Sequence, residues 1–297
     1  MNPGLVYAAL AYTLWGLFPL YFRQVADVPA FEIVVHRSVW ALVFVMLVLA
    51  AMHRWAWLGR TLRRPLQLGL FALSALLLSS NWLIYVWAVN NHRVIDSSLG
   101  YFINPLVSVV LGYAVLHERL RRLQWAAVAL AAFGVLWLTV QAGQLPWIAL
   151  LLAGSFGLYG LMRKTASLGA LEGLALETLL LAPLALGLLT WWTLKGTSAL
   201  STGDASLIGW LILAGPLTAV PLLLFAAGAR RLTLATLGLL QYIAPTLQFG
   251  LGVWLYREPF DSARLVGFAF IWAALAIYSA EGWWVAQRRS GSALSAA

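Results

Sequence analysis

Ionisable side chains set inside long apolar runs are where this sequence can do chemistry. His36 and Arg37 follow Glu32 by four and five residues, which places them ~6–8 Å deeper along a helix that rises 1.5 Å per residue. Glu177 follows Glu172 by five in the same way. A charge inside a bilayer costs from ~3 to above 10 kcal/mol depending on the method, so each one needs a reason. Arg37 can clamp a carboxylate or phosphate with its planar fork. Glu177 can bind an amine or carry a coupling proton, and His36 can titrate. A structural reading stands beside these: Arg37 and Glu177 form an ion pair, or snorkel toward opposite interfaces.

A second set is polar and aromatic. Asn81 and Tyr85 are four residues apart and share a helix face, and Asn90 is placed at an outer mouth. Tyr101, Asn104 and Ser108 form a stripe whose counterparts 140 residues on are Gln241, Ala244 and Gln248. Such stripes line a cavity or make interhelical hydrogen bonds worth ~1 kcal/mol each. Trp15, Trp82 and Tyr159 can stack a flat substrate. Most of the 16 tryptophans serve instead as interface anchors, and Trp55, Trp57, Trp283 and Trp284 read that way. Pro105 and Pro245 are expected to interrupt their helices at equivalent places and to act as hinges. Gly154, Gly157 and Gly160 read as close helix packing. Glu118 and Glu258 end their spans near arginines, as gating pairs or as solvated charges.

The elements that must hold these residues follow from composition. Of 297 residues, 62% are hydrophobic and 10% charged, against ~45–50% and ~25% in soluble domains. A chain this apolar cannot cover itself with polar groups in water, which leaves lipid as its solvent. The net charge of +9 is scattered in short clusters, without the basic face of a nucleic-acid binder. The chain has no cysteine, so disulfides and thiolate metal sites are excluded. Enzyme signatures are also missing. His117-Glu118 meets Arg121 where a zincin has its second histidine, and Gly154-Ser155-Phe156-Gly157 lacks nucleophile-elbow spacing. No cofactor or metal is expected.

Apolar runs of ~20 residues predict ten spans, at roughly 4–23, 31–52, 66–89, 96–116, 123–142, 145–162, 172–194, 206–228, 233–256 and 263–284. The first is read as a span rather than a signal peptide, for want of a basic n-region and a cleavage site. With the N-terminus inside, thirteen Lys and Arg fall on the cytoplasmic side and five outside, with Arg37 within a span. That bias predicts cytoplasmic termini.

At an offset of 140, Arg23 falls on Arg163, Glu32 on Glu172, Ile103-Asn104-Pro105 on Ile243-Ala244-Pro245, Gly112 on Gly252 and Glu118 on Glu258. The chain therefore divides into two five-helix repeats, residues 1–143 and 144–297. An odd number of spans per repeat inverts one against the other, with a site expected near the midplane between them. This favours a transporter; a sensory or structural membrane protein and an integral membrane enzyme are the alternatives.

Glu32 to Trp40 (EIVVHRSVW), Asn81 to His92 (NWLIYVWAVNNH), Ser98 to Pro105 (SLGYFINP) and Gln241 to Pro245 (QYIAP) resemble RarD-type permeases of the EamA group in the drug/metabolite transporter superfamily. The resemblance spans nearly the whole chain. It implies an all-α integral membrane protein of about ten helices in inverted repeats, in the bacterial inner membrane. It also implies a permease or exporter of small organic metabolites, such as amino acids or chloramphenicol-type compounds. Substrate and bilayer are the expected partners, protons are left open, and a monomer is compatible.

Overall fold

A computed structural model describes residues 2–90, 94–143, 147–201, 204–255 and 262–294. Among these the chain is helical and contains no strand. Lipid explains why: backbone groups find no water in the hydrocarbon region, and a helix satisfies its own. The helices are α1 (Pro3–Gly16), α2 (Phe18–Phe22), α3 (Ala30–Ala51), α4 (Ala56–Leu62), α5 (Pro65–Asn90), α6 (Val94–Ala114) and α7 (Arg122–Ala142). Then come α8 (Trp147–Thr165), α9 (Ala170–Leu194), α10 (Ala205–Ala229), α11 (Leu234–Leu240), α12 (Ile243–Gly250) and α13 (Ser262–Leu294). Eight helical segments among the described residues are long and apolar enough to cross a membrane; α6 and α8, where two more spans are expected, fall outside that set.

Local signals set the ends. Asn2 accepts from the Gly4 amide with Pro3 in the first turn, and Asp204 and Thr233 cap α10 and α11 with their side-chain oxygens. Gly143 ends α7 in the left-handed region, at φ 70°, where glycine carries no Cβ penalty.

The two prolines behave differently. Pro245 has no amide for the Gln241 carbonyl, and the helix breaks one turn earlier, between Leu240 and Ile243. Tight bonds from Tyr242 N to Leu239 O (3.2 Å) and Ala244 N to Gln241 O (3.1 Å) bridge the break. Pro105 corrects the expectation of a matched pair of interruptions, because α6 runs through it unbroken. Its carbonyl packs against Gly238, where an added Cβ would come within 2.7 Å. Trp57 is a further correction: it is buried in the core rather than anchored at an interface.

Helix packing has a pattern. The pairs α3–α9, α6–α11 and α7–α13 pack directly. So do α1–α10 and α5–α8, α3–α10 and α5–α9, and α1–α12 and α6–α8. Small residues permit the close approaches, as is usual where apolar burial gives no preference for helix over lipid. A Cβ on Gly16 would reach within 2.8 Å of Leu247, and one on Gly157 within 2.7 Å of Val107.

Candidate functional site

A cavity of about 170 Å³ opens among α1–α3, α5, α6, α8, α10, α12 and the break between α11 and α12. It occupies the half of the bundle that holds the end of α2, the start of α3, the end of α5 and the starts of α6 and α8. Ten of the residues singled out by sequence reach it: Trp15, Arg37, Asn81, Trp82, Tyr85, Tyr101, Asn104, Gln241, Pro245 and Gln248. His36, Pro105, Tyr159 and Glu177 lie outside its lining. Asn90 ends α5, but its side chain lies outside the described residues, as does Glu258.

Arg37 is the charged residue among the described residues of the lining. Its Nε donates to Thr218 Oγ1 at 2.9 Å, and its guanidinium carbon lies 4.8 Å from the Trp82 ring centroid and 5.4 Å from that of Phe18. Cation–π contacts of this kind are worth ~1–2 kcal/mol when desolvated, below the upper costs of an intramembrane charge. No carboxylate among the described residues pairs with it. The fork therefore has hydrogen-bonding capacity left over.

The neutral polar residues divide by whether they are already used. Asn81 Nδ2 donates to Leu152 O at 2.8 Å and to Ser155 Oγ at 2.9 Å, tying α5 to α8. Gln248 Nε2 donates to Trp15 O at 3.2 Å and ties α12 to α1. Asn104, at 3% exposure, has an Oδ1 that finds no donor. A buried unmatched acceptor costs ~1–3 kcal/mol. Tyr85 and Tyr101 form an edge-to-face pair at 6.2 Å on one wall.

The floor is an aromatic cluster. Trp15 contacts Tyr12, Phe156 and Phe225 at 5.7 Å each. Tyr159 stacks on Phe225 at 6.0 Å, and its hydroxyl donates to Glu177 Oε2 at 3.5 Å. Behind these rings, Glu177 accepts from Ser74 Oγ at 2.5 Å and pairs with Arg163 Nη1 at 3.5 Å; Arg163 and Glu177 are each 1% exposed. Arg163 also donates to Ala170 O at 3.0 Å. Glu177 is thus bound to Arg163, not to Arg37. Arg163, assigned by sequence to a loop, instead lies within α8 and is buried. His36 lies 3.6 Å from Glu32, and its Nδ1 accepts from Trp40 Nε1 at 3.3 Å.

Further polar ties gather at the bundle end away from the cavity. Arg54 pairs with Glu172, and Arg121 with Glu281. Glu118 accepts from the Leu234 and Ala235 amides at 2.7 and 3.1 Å, holding a carboxylate against the positive end of α11. Lys164 sits 3.6 Å from the same carboxylate. Of the alternatives for Glu118, neither the solvated charge nor a pair with a neighbouring arginine describes this: it caps α11.

The EamA-like transporter family matches residues 2–140. An uncharacterized transporter of Pseudomonas aeruginosa is 49% identical over 95% of both chains, and a Streptomyces exfoliatus protein named RarD is 47% identical over 99% of this chain and 93% of its own. This chain belongs to the EamA-like transporter family, among the RarD-type permeases. A solved crystal structure at 19% identity superposes with a TM-score of 0.72, covering 92% of this chain and 96% of that one, which shows a shared fold. This EamA-like chain is accordingly a multi-pass membrane transporter.

Sequence reasoning about the EamA-like site missed Tyr12, Phe18, Phe22 and Phe156 in the lining, and Thr218, Ser74 and Arg163 as partners of the two charges. Aromatic residues are too frequent in this chain for spacing to single out four of them. Arg163 carried a signal, since a carboxylate buried in α9 calls for a cation within reach, and the last turn of α8 supplies one.

Proposed function

We propose that residues 1–143 and 144–297 are inverted five-helix repeats, and that the protein moves small organic metabolites by alternating access through the cavity between them. The observation that carries this reading is the packing pattern. Under the 140-residue offset, α3–α9, α6–α11 and α7–α13 are each a helix against its own counterpart, and every other pair described above has its mate. Tyr242 donates its hydroxyl to the carbonyl of Phe102, its counterpart, at 3.0 Å. Ala8 packs against Gly228, while their counterparts Ile148 and Ala88 share one cluster. A two-fold axis in the membrane plane relates such contacts and allows one half to rock against the other.

With both termini cytoplasmic, the cavity opens toward the outer side in the bacterial inner membrane. The rings under Trp15 and the ties of Glu177, Glu172, Glu118 and Glu281 then close the inner end. The ten cavity residues contact substrate in this reading, while Glu177 acts in closing the inner end and in any proton coupling. His36 and Tyr159 support those groups, and Pro245 supplies the hinge, with Pro105 as its packed counterpart.

Counterflow in proteoliposomes tests transport. Vesicles preloaded with an unlabelled small organic metabolite accumulate its labelled form transiently above equilibrium when the protein is present. A panel of metabolites with no transient above protein-free vesicles contradicts the reading.

A further inference from the structure

The structure assigns the cavity a substrate class: a singly charged organic anion with a flat apolar body and a hydrogen-bond donor, an aromatic hydroxycarboxylate being the simplest case. This rests on the cavity's being the transport site. Three features of the lining meet in that class. Arg37 faces the cavity with its Nε engaged by Thr218 and, among the described residues, no carboxylate paired with it. Its terminal nitrogens form the fork that a carboxylate fits. Among the described residues no aspartate or glutamate lines the cavity, so an ammonium group entering it meets the positive field of Arg37 without a counter-charge from them. A zwitterion is met at one end only, and a cation at neither. A dianion such as a phosphate ester brings one charge more than Arg37 can match.

The body of the ligand is set by the walls. Trp82 and Phe18 flank the guanidinium, and Tyr85 and Tyr101 stand edge to face beside it. Rings favour flat partners through offset and edge contacts. A volume of about 170 Å³ suits a single substituted ring; an engineered apolar cavity of about 150 Å³ holds benzene. The donor is set by Asn104. Its Oδ1 is buried in the lining and unmatched, so a hydroxyl or N–H on the ligand supplies the missing partner, and a ligand without one leaves it unmet.

The test is binding to the purified full chain of matched probes: 4-hydroxybenzoate, benzoate, benzamide, benzylamine, phenylalanine and phenyl phosphate. The expected order has 4-hydroxybenzoate tightest, benzoate about tenfold weaker, and the remaining four at least ~30-fold weaker than 4-hydroxybenzoate, as the loss of a matched polar group predicts. Arg37→Gln is expected to erase the preference for benzoate over benzamide, and Arg37→Lys to retain part of it. Asn104→Leu is expected to erase the preference for 4-hydroxybenzoate over benzoate while leaving benzoate binding in place. That keeps the test open if the Arg37 variants fail to fold. Benzamide, benzylamine or phenylalanine binding as tightly as 4-hydroxybenzoate overturns the assignment, as does a panel with no binder. Counterflow separates this outcome from failure of the transport reading. Neutral or zwitterionic compounds carried at full rate sink the anion class and leave transport standing; carboxylates that bind but never move sink transport and leave the site standing.

Discussion

Glu177→Leu is expected to lower the stability of the folded protein by about 3–5 kcal/mol, because it strands a buried cation. Arg163 is 1% exposed and its Nη1 faces Glu177 at 3.5 Å. Its other described bonds go to the Gly169 and Ala170 carbonyls, which carry no net charge. Gly173 admits the guanidinium so closely that any Cβ there would overlap it, so Arg163 cannot swing aside without repacking α9. The double variant Glu177→Leu with Arg163→Met is expected to recover most of the loss, since buried pairs often exchange for apolar side chains of similar volume at little net cost. Thermal unfolding in detergent reads both. A double variant no more stable than the single one would show that the charges are not each other's main partners.

Ala244→Phe is expected to cut transport at least tenfold while costing only about 1–3 kcal/mol of stability, the usual range for overpacking. Ala244 lies in the lining beside Gln241, Pro245 and Gln248. A phenyl ring there takes up much of a cavity of about 170 Å³ and displaces any ligand from between the tyrosine wall and Arg37. Counterflow rates and unfolding temperatures on the same preparation separate the two effects. Full transport with a filled cavity would mean that substrate passes elsewhere.

The contrast between these variants reflects an asymmetry between the two proposed repeats. At equivalent positions the front half carries Arg37 and the back half Glu177. The first has no carboxylate partner among the described residues and faces the cavity; the second is sealed behind Tyr159, Ser74 and Arg163. In the proposed repeats, one of the two charges is therefore matched within the protein and the other faces the cavity.

Much of this was readable from the chain. Apolar runs and their breaks located the helices, because lipid leaves a hydrophobic segment few alternatives to a helix. The spacing of Tyr101 and Asn104, and their counterparts Gln241 and Ala244, placed two stripes that the fold brings to one cavity, because helical periodicity alone fixes a face. What stayed hidden depends on which helix lies opposite. Thr218 became the partner of Arg37, and Ser74 that of Glu177, through crossings 181 and 103 residues apart in sequence. Arg163 looked like a loop charge since cations gather at helix ends. Its long stem instead carries the guanidinium back into the core. Pro105 looked like a break since proline removes a helical bond, but the neighbouring α11 supports α6 at that turn through Gly238.

On the proposed mechanism, water reaches the cavity from the outer face while the inner end is shut. The chain has no cysteine, so single replacements report accessibility without background. Tyr101→Cys is predicted to react with a membrane-impermeant maleimide added to intact cells, and to be slowed by 4-hydroxybenzoate, while Ser74→Cys behind the aromatic floor stays unreactive. Labelling of the Tyr101 position only by a lipid-soluble reagent, or equally at both positions, would contradict it.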